Sequence, residues 1–163
     1  MLHSTNLQIT GATNACVPQA LAILTGVPAQ TWLERIRDRN PKTCDRSNGV
    51  ASYDYVPAAR AAGYRMSMLW GMWGVGKDER QIELHRALAL LRGRKGFLVV
   101  KSGGRRTHAI AAEGFIVADN GRPTPTWWGD WLSSWEVVYS RGFRRSRIRS
   151  HVVEVYLFEE ASK

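Results

Sequence analysis

Cys16 stands where a polar stretch meets a largely apolar one, in Thr13-Asn14-Ala15-Cys16-Val17-Pro18-Gln19-Ala20-Leu21-Ala22-Ile23-Leu24-Thr25-Gly26. The pattern predicts a loop that delivers a thiol to the first turn of a helix over residues 16–25. Pro18 suits a first turn, where its missing N–H has no intrahelical bond to lose. Gly26 suits the stop. A thiol so placed feels the positive end of the helix dipole and the unpaired N–H groups of the first turn. Both favour the thiolate, which is the nucleophilic form.

A second segment supplies a base. Two short apolar runs, Thr107-His108-Ala109-Ile110-Ala111-Ala112 and Phe115-Ile116-Val117-Ala118-Asp119, flank Glu113-Gly114, and Asn120-Gly121 follows. This reads as a β-hairpin. A two-residue turn at Glu113-Gly114 sets Ala112 against Phe115 and, counting outward, His108 directly against Asp119. Directly opposed residues share a face and lie within side-chain reach. A histidine held by a carboxylate is the base and orienter of a catalytic triad. A bulge in the turn slips the register by one and makes Asn120 the partner; both stay open.

In this order of elements the chain resembles the papain-like cysteine peptidase superfamily, in its small viral and bacterial branches. The residues carrying the resemblance are Asn14-Ala15-Cys16-Val17-Pro18-Gln19 with the apolar run to Gly26, and the His108 to Asp119 hairpin. The resemblance implies an α+β fold with an N-terminal nucleophile helix packed on an antiparallel β-sheet. It implies Cys16, His108 and Asp119 as the catalytic residues of a thiol hydrolase acting on an amide or isopeptide bond of a protein or peptide. It also implies that a Gln or Asn shortly before the cysteine helps bind the oxyanion; Gln8 and Asn14 are the candidates.

At 163 residues the chain reads as one domain over 1–163. No apolar stretch reaches the length of a membrane span, and Met1 to Asn6 lack the regions of a signal peptide. A cytoplasmic location is therefore expected, the host's if the chain is viral. Two cysteines, Cys16 and Cys44, are too few for a disulfide framework. Cys and His are too scattered for a metal site, and no cofactor motif is expected to operate. The formal net charge is +9. Arg141, Arg144, Arg145, Arg147 and Arg149 concentrate it, and such a patch suits an acidic protein or nucleic acid.

Periodicity places the remaining elements. A short helix over 32–37 is expected, with Thr31 as its cap and Glu34 completing a capping box. A helix over 53–62 carries Pro57, which argues for a kink or a start there. A strand runs over 65–70, and a helix over 79–92 is capped by Asp78. Strands follow at 97–100, in the histidine hairpin, at 134–139 and at 151–158.

Two rival readings are set against the hydrolase. One is a catalytically idle fold of the same type that binds through its arginines. The other is a nucleotide-binding protein, since Gly71 to Lys77 fits the first seven places of a phosphate loop. Asp78 stands where that motif needs Ser or Thr, and it serves better as a helix cap. Among the other histidines, His3 lies near the N-terminus, His85 beside leucines in a helix, and His151 has no Asp or Asn following it on a hairpin. Trp127, Trp128, Trp131 and Trp135 have helical spacing and read as core packing for at least two of them.

Overall fold

A computed structural model of the protein describes residues 1–44, 50–71, 82–101, 107–139 and 151–162; side chains of 134–139 and 151 lie outside the description. Helix α1 spans Cys16–Thr25, the bounds the polar-to-apolar switch predicts. Helices α2 (Ala29–Arg37) and α3 (Ser52–Ala61) follow. Then come β1 (Tyr64–Trp70), β2 (Ile82–Glu83), α4 (Leu84–Leu90), β3 (Lys95–Lys101), β4 (Thr107–Glu113), β5 (Ile116–Ala118), β6 (Thr126–Trp127), α5 (Trp128–Tyr139) and β7 (His151–Glu160).

The seven strands form one antiparallel sheet in the order β1-β7-β3-β4-β5-β6. Strand β2 pairs with the first residues of β7, where the β1 ladder has ended. The two faces carry separate apolar clusters. On one, α1, α2 and α3 bury Leu21, Ile23, Trp32 and Tyr55 against Phe97, Ala109, Ala111 and Tyr156. On the other, Leu84, Leu88 and Leu91 join Trp131 over Leu98, Ile110, Val117 and Val155. The fold is α+β, as expected, and the helix carrying Cys16 packs on the strand carrying His108.

Several local expectations are corrected. Thr31 caps nothing: α2 begins at Ala29 after Pro28, with no side-chain cap bond. The first N–H of the helix is satisfied from elsewhere, Ala29 donating to the Asn6 carbonyl at 3.0 Å, so no capping box is needed. Helix α3 runs through Pro57 rather than starting there. The helix expected from Glu79 starts only at Leu84, because Ile82 and Glu83 pair with Val152 and His151 of β7. Asp78 lies outside the described residues.

Residues 134–139, expected as a strand, belong to α5. That helix starts at Trp128 and is anchored by the buried Trp131; once nucleated, it propagates through residues whose strand preference is weak and contextual. Helical spacing of the tryptophans was the better signal. Cys44 is fully buried.

The hairpin turn also differs. Glu113 pairs with Ile116, so the turn residues are Gly114 and Phe115. Gly114 takes φ +59°. Glycine with positive φ in the first central place is the type II′ pattern, so the turn forms around Gly114 and not before it. The register therefore moves by two from the expected one. Ala111 faces Ala118, the ladder ends there, and its continuation would set Asp119 against Ile110, not His108.

Candidate active site

The shift by two preserves the site, because a strand's side chains alternate with period two. His108 and Asp119 stay on one face as diagonal neighbours, within reach of long side chains. His108 Nε2 lies 2.8 Å from Asp119 Oδ2. The expectation of direct opposition fails while the side-chain contact it predicted forms. Asn120 is exposed and does not replace Asp119.

Asp119 is buried, and such a carboxylate needs its acceptors filled. Oδ1 accepts the Arg122 N–H at 2.7 Å, and the Asp119 N–H donates to the Arg122 carbonyl at 3.1 Å. The buried Trp131 indole also donates to the carboxylate. Burial alone would raise the Asp119 pKa. The His108 hydrogen bond and charge, the Arg122 N–H and Trp131 outweigh it and hold the carboxyl below its ordinary value. Asp119 thus braces the turn after β5 and holds the imidazole.

Cys16 opens α1, half-buried, with no side-chain cap at the helix start. Its sulfur accepts hydrogen bonds from His108 and from the backbone N–H groups of Val17 and Ala109. The Val17 bond comes from the first turn of the helix, as the dipole argument requires. The Ala109 bond has another origin. The β4–β5 ladder ends at Ala111↔Ala118, so among the described residues no strand lies beside Ala109 on this edge, and the thiol takes that amide.

Burial pushes the thiol pKa up, but His108 and the two backbone amides bring it net below the ordinary value. For His108, burial works against the cation. The bonds to Asp119 and Cys16 and their charges prevail, and its pKa is pushed up to about 9. Both shifts favour the same state, a thiolate beside an imidazolium. With Nε2 committed to Asp119, Nδ1 is the remaining ring nitrogen for the sulfur.

The two oxyanion candidates separate. Asn14 is half-buried, two residues before Cys16 in the loop entering α1. Gln8 is exposed, its N–H bonded to Asn6 Oδ1 at 2.9 Å, and no described contact carries its side chain to Cys16. The cause is alternation: Leu7 and Ile9 pack on the core, which turns Gln8 outward. Gln19 fixes that orientation, its Nε2 donating to the Leu7 carbonyl at 2.9 Å.

Sequence reasoning missed Trp131 and Ala109 as parts of the site. Trp131 had a signal, since a buried indole N–H usually finds a partner. Ala109 acts through its backbone and had none. His85 is exposed beside Trp128, with ring centroids 5.9 Å apart. The phosphate-loop residues 72–77 and the arginines from Arg141 to Arg149 lie outside the described residues. Among those described, no helix is long and apolar enough to cross a membrane. Comparison of the chain with protein-family models, with curated proteins and with solved structures found no match.

Proposed function

We propose that the protein is a papain-like thiol hydrolase that cleaves an amide or isopeptide bond. One observation carries the reading: a hydrogen-bonded line from a helix-start cysteine through a histidine to a buried aspartate, with both pKa shifts toward the ion pair. The nucleophile helix packed on an antiparallel sheet that holds the base supports it further.

In this mechanism the Cys16 thiolate adds to the substrate carbonyl. The oxyanion is met by the Cys16 N–H, one of the donors a helix start leaves unbonded, with Asn14 as the side-chain candidate. Each such donor contributes about 3 kcal/mol in comparable sites. Collapse breaks the C–N bond, and the His108 imidazolium gives its proton to the leaving amine. A thioester on Cys16 remains. Neutral His108 then takes a proton from water, whose oxygen attacks the thioester, and the acid product leaves with the thiolate restored. Asp119 keeps the ring oriented and stabilises its cation throughout.

The test is the rate of Cys16 alkylation by iodoacetamide near neutral pH, located by mass spectrometry. Cys44 is buried and is no fair standard, so the urea-unfolded chain is. Cys16 in the folded protein should react faster than in the unfolded chain, and His108→Ala should remove that advantage. A folded protein whose Cys16 reacts no faster than the unfolded thiol rules the activated nucleophile out.

A further inference from the structure

A carboxylate that the hydrolytic mechanism does not use lies on the same face of the sheet as α1. Glu154 of β7 is half-buried. Its Oε2 accepts two hydroxyls, Tyr55 at 2.8 Å and Tyr156 at 2.9 Å. Both tyrosines are buried, and they pack on each other edge to face with centroids 6.0 Å apart. The carboxylate is therefore fixed in direction. Its Oε1 accepts no bond among the described residues. The chain has 23 Lys and Arg, yet none of those described pairs with Glu154. A carboxylate with one oxygen held by neutral donors and the other without a donor among the described residues is an acceptor for a cation from outside.

Its location relates it to the thiol. Glu154 pairs with Val99, and Val99 pairs with Ala109, whose N–H bonds the Cys16 sulfur. The three form one row across β7, β3 and β4. Val99, in the middle, is half-exposed, although Phe97 and Val100 on the same strand are buried. Beside the carboxylate stands Gly71, at φ +123°. A Cβ there would come within 3.3 Å of Glu154 Cγ and 3.1 Å of the Val153 carbonyl, so glycine keeps side-chain bulk off Glu154.

We infer that Glu154 is a specificity-determining residue that receives a lysine or arginine side chain of the substrate. The inference rests on the hydrolase reading and names its substrate class. Two strand spacings separate Glu154 from Ala109, about 10 Å. Extended peptide advances about 3.3 Å per residue, so the cation belongs two or three residues from the scissile bond.

The experiment uses tetrapeptidyl chloromethyl ketones of alanine, with a single arginine moved through the four positions and citrulline as the uncharged control of equal size. The rate of Cys16 labelling is measured for each. Arginine two or three residues from the warhead should outpace citrulline by about tenfold to a hundredfold, the range of a charge-assisted hydrogen bond. Glu154→Gln, which can still accept both tyrosine hydroxyls, should abolish that ratio and keep the citrulline rate. A parent protein with no arginine preference at any position overturns the inference without recourse to a variant, as does a preference that E154Q leaves intact. Charge-blind labelling of a fast Cys16 sinks the inference alone. A Cys16 that no electrophile labels faster than the unfolded thiol sinks the hydrolase reading and the inference with it.

Discussion

The two ends of helix α1 are treated in opposite ways. At its C-terminal end the carbonyls of Ala22, Ile23 and Leu24 find partners. Gly26 N–H returns to Ala22 O at 2.8 Å, His3 N–H donates to Ile23 O at 2.8 Å, and Lys95 Nζ donates to Leu24 O at 2.9 Å. Thr5 Oγ1 reaches Gly26 O at 3.1 Å. At the N-terminal end no side chain caps the helix, and the Val17 N–H there meets a sulfur instead. A cation at the C-terminus and a thiolate at the N-terminus both suit the macrodipole. Only the first is permanent structure; the second is a group that must leave its bonds to react. One end is closed for stability; in the proposed mechanism the other is left open for chemistry.

This contrast predicts that lesions at the two ends separate activity from stability. The largest effect belongs to His108→Ala, which should lower turnover of a peptide substrate by about 10²–10⁴-fold, the usual contribution of a general base. Its melting temperature should move far less than that loss suggests. If instead the variant unfolds and the activity loss merely tracks the unfolded fraction, the open end is structural and the contrast collapses.

Asp119→Asn should come next, with a smaller loss of turnover and a measurable loss of stability near neutral pH. Hydrogen bonds to a charged group are worth about 1.5–3 kcal/mol. The carboxyl is held below its ordinary value of 3.8, so its contribution is complete above that value and is lost as pH falls through the folded one. Urea titrations of parent and variant should therefore differ at pH 7 and converge in acid. A gap that stays constant down to acid pH would assign Asp119 a role other than holding His108.

The pH profile sharpens the same end. In the proposed mechanism the His108 imidazolium protonates the leaving amine, and its pKa is pushed up to about 9. Turnover should fall as pH rises through that value, while alkylation of Cys16, which needs only the thiolate, should not. Parallel alkaline limbs for the two measurements would break the assignment of His108 as acid.

The smallest effect is expected at the closed end. Lys95→Met removes the bond to Leu24 O and should cost about 0.5–1.5 kcal/mol in chemical denaturation, with Cys16 alkylation unchanged. A change in Cys16 reactivity from this distant lesion would mean that the two ends are coupled.

The legible parts of this molecule are those set by local chemistry. Pro18 and Gly26 delimit α1 because each has a backbone preference that acts over a few residues. The pairing of His108 with Asp119 was legible for a different reason. Misplacing the turn by one residue moved the register by an even number, and the faces survived it. What escaped depends on partners far along the chain. Ile82 and Glu83 become strand only because β7 is there to pair with them. The α2 helix dispenses with Thr31 because Asn6 supplies a carbonyl. Gln8 turns outward because Leu7 and Ile9 have a core to enter. The roles of Trp131 and the Ala109 amide come from where β5 ends, and no residue near either of them announces that.

The end of the β4–β5 ladder also makes Cys16 a piece of the sheet. An unpaired strand edge invites pairing with another chain, and at Ala109 the sulfur occupies that edge. In the proposed mechanism each catalytic cycle must therefore lift the plug, and a covalent adduct on Cys16 withdraws it for as long as the bond lasts. Amide hydrogen exchange at Ala109 becomes a clock for the occupancy of the thiol. It runs slow in the resting protein and fast once Cys16 is acylated or alkylated, and it can be followed without any knowledge of the substrate.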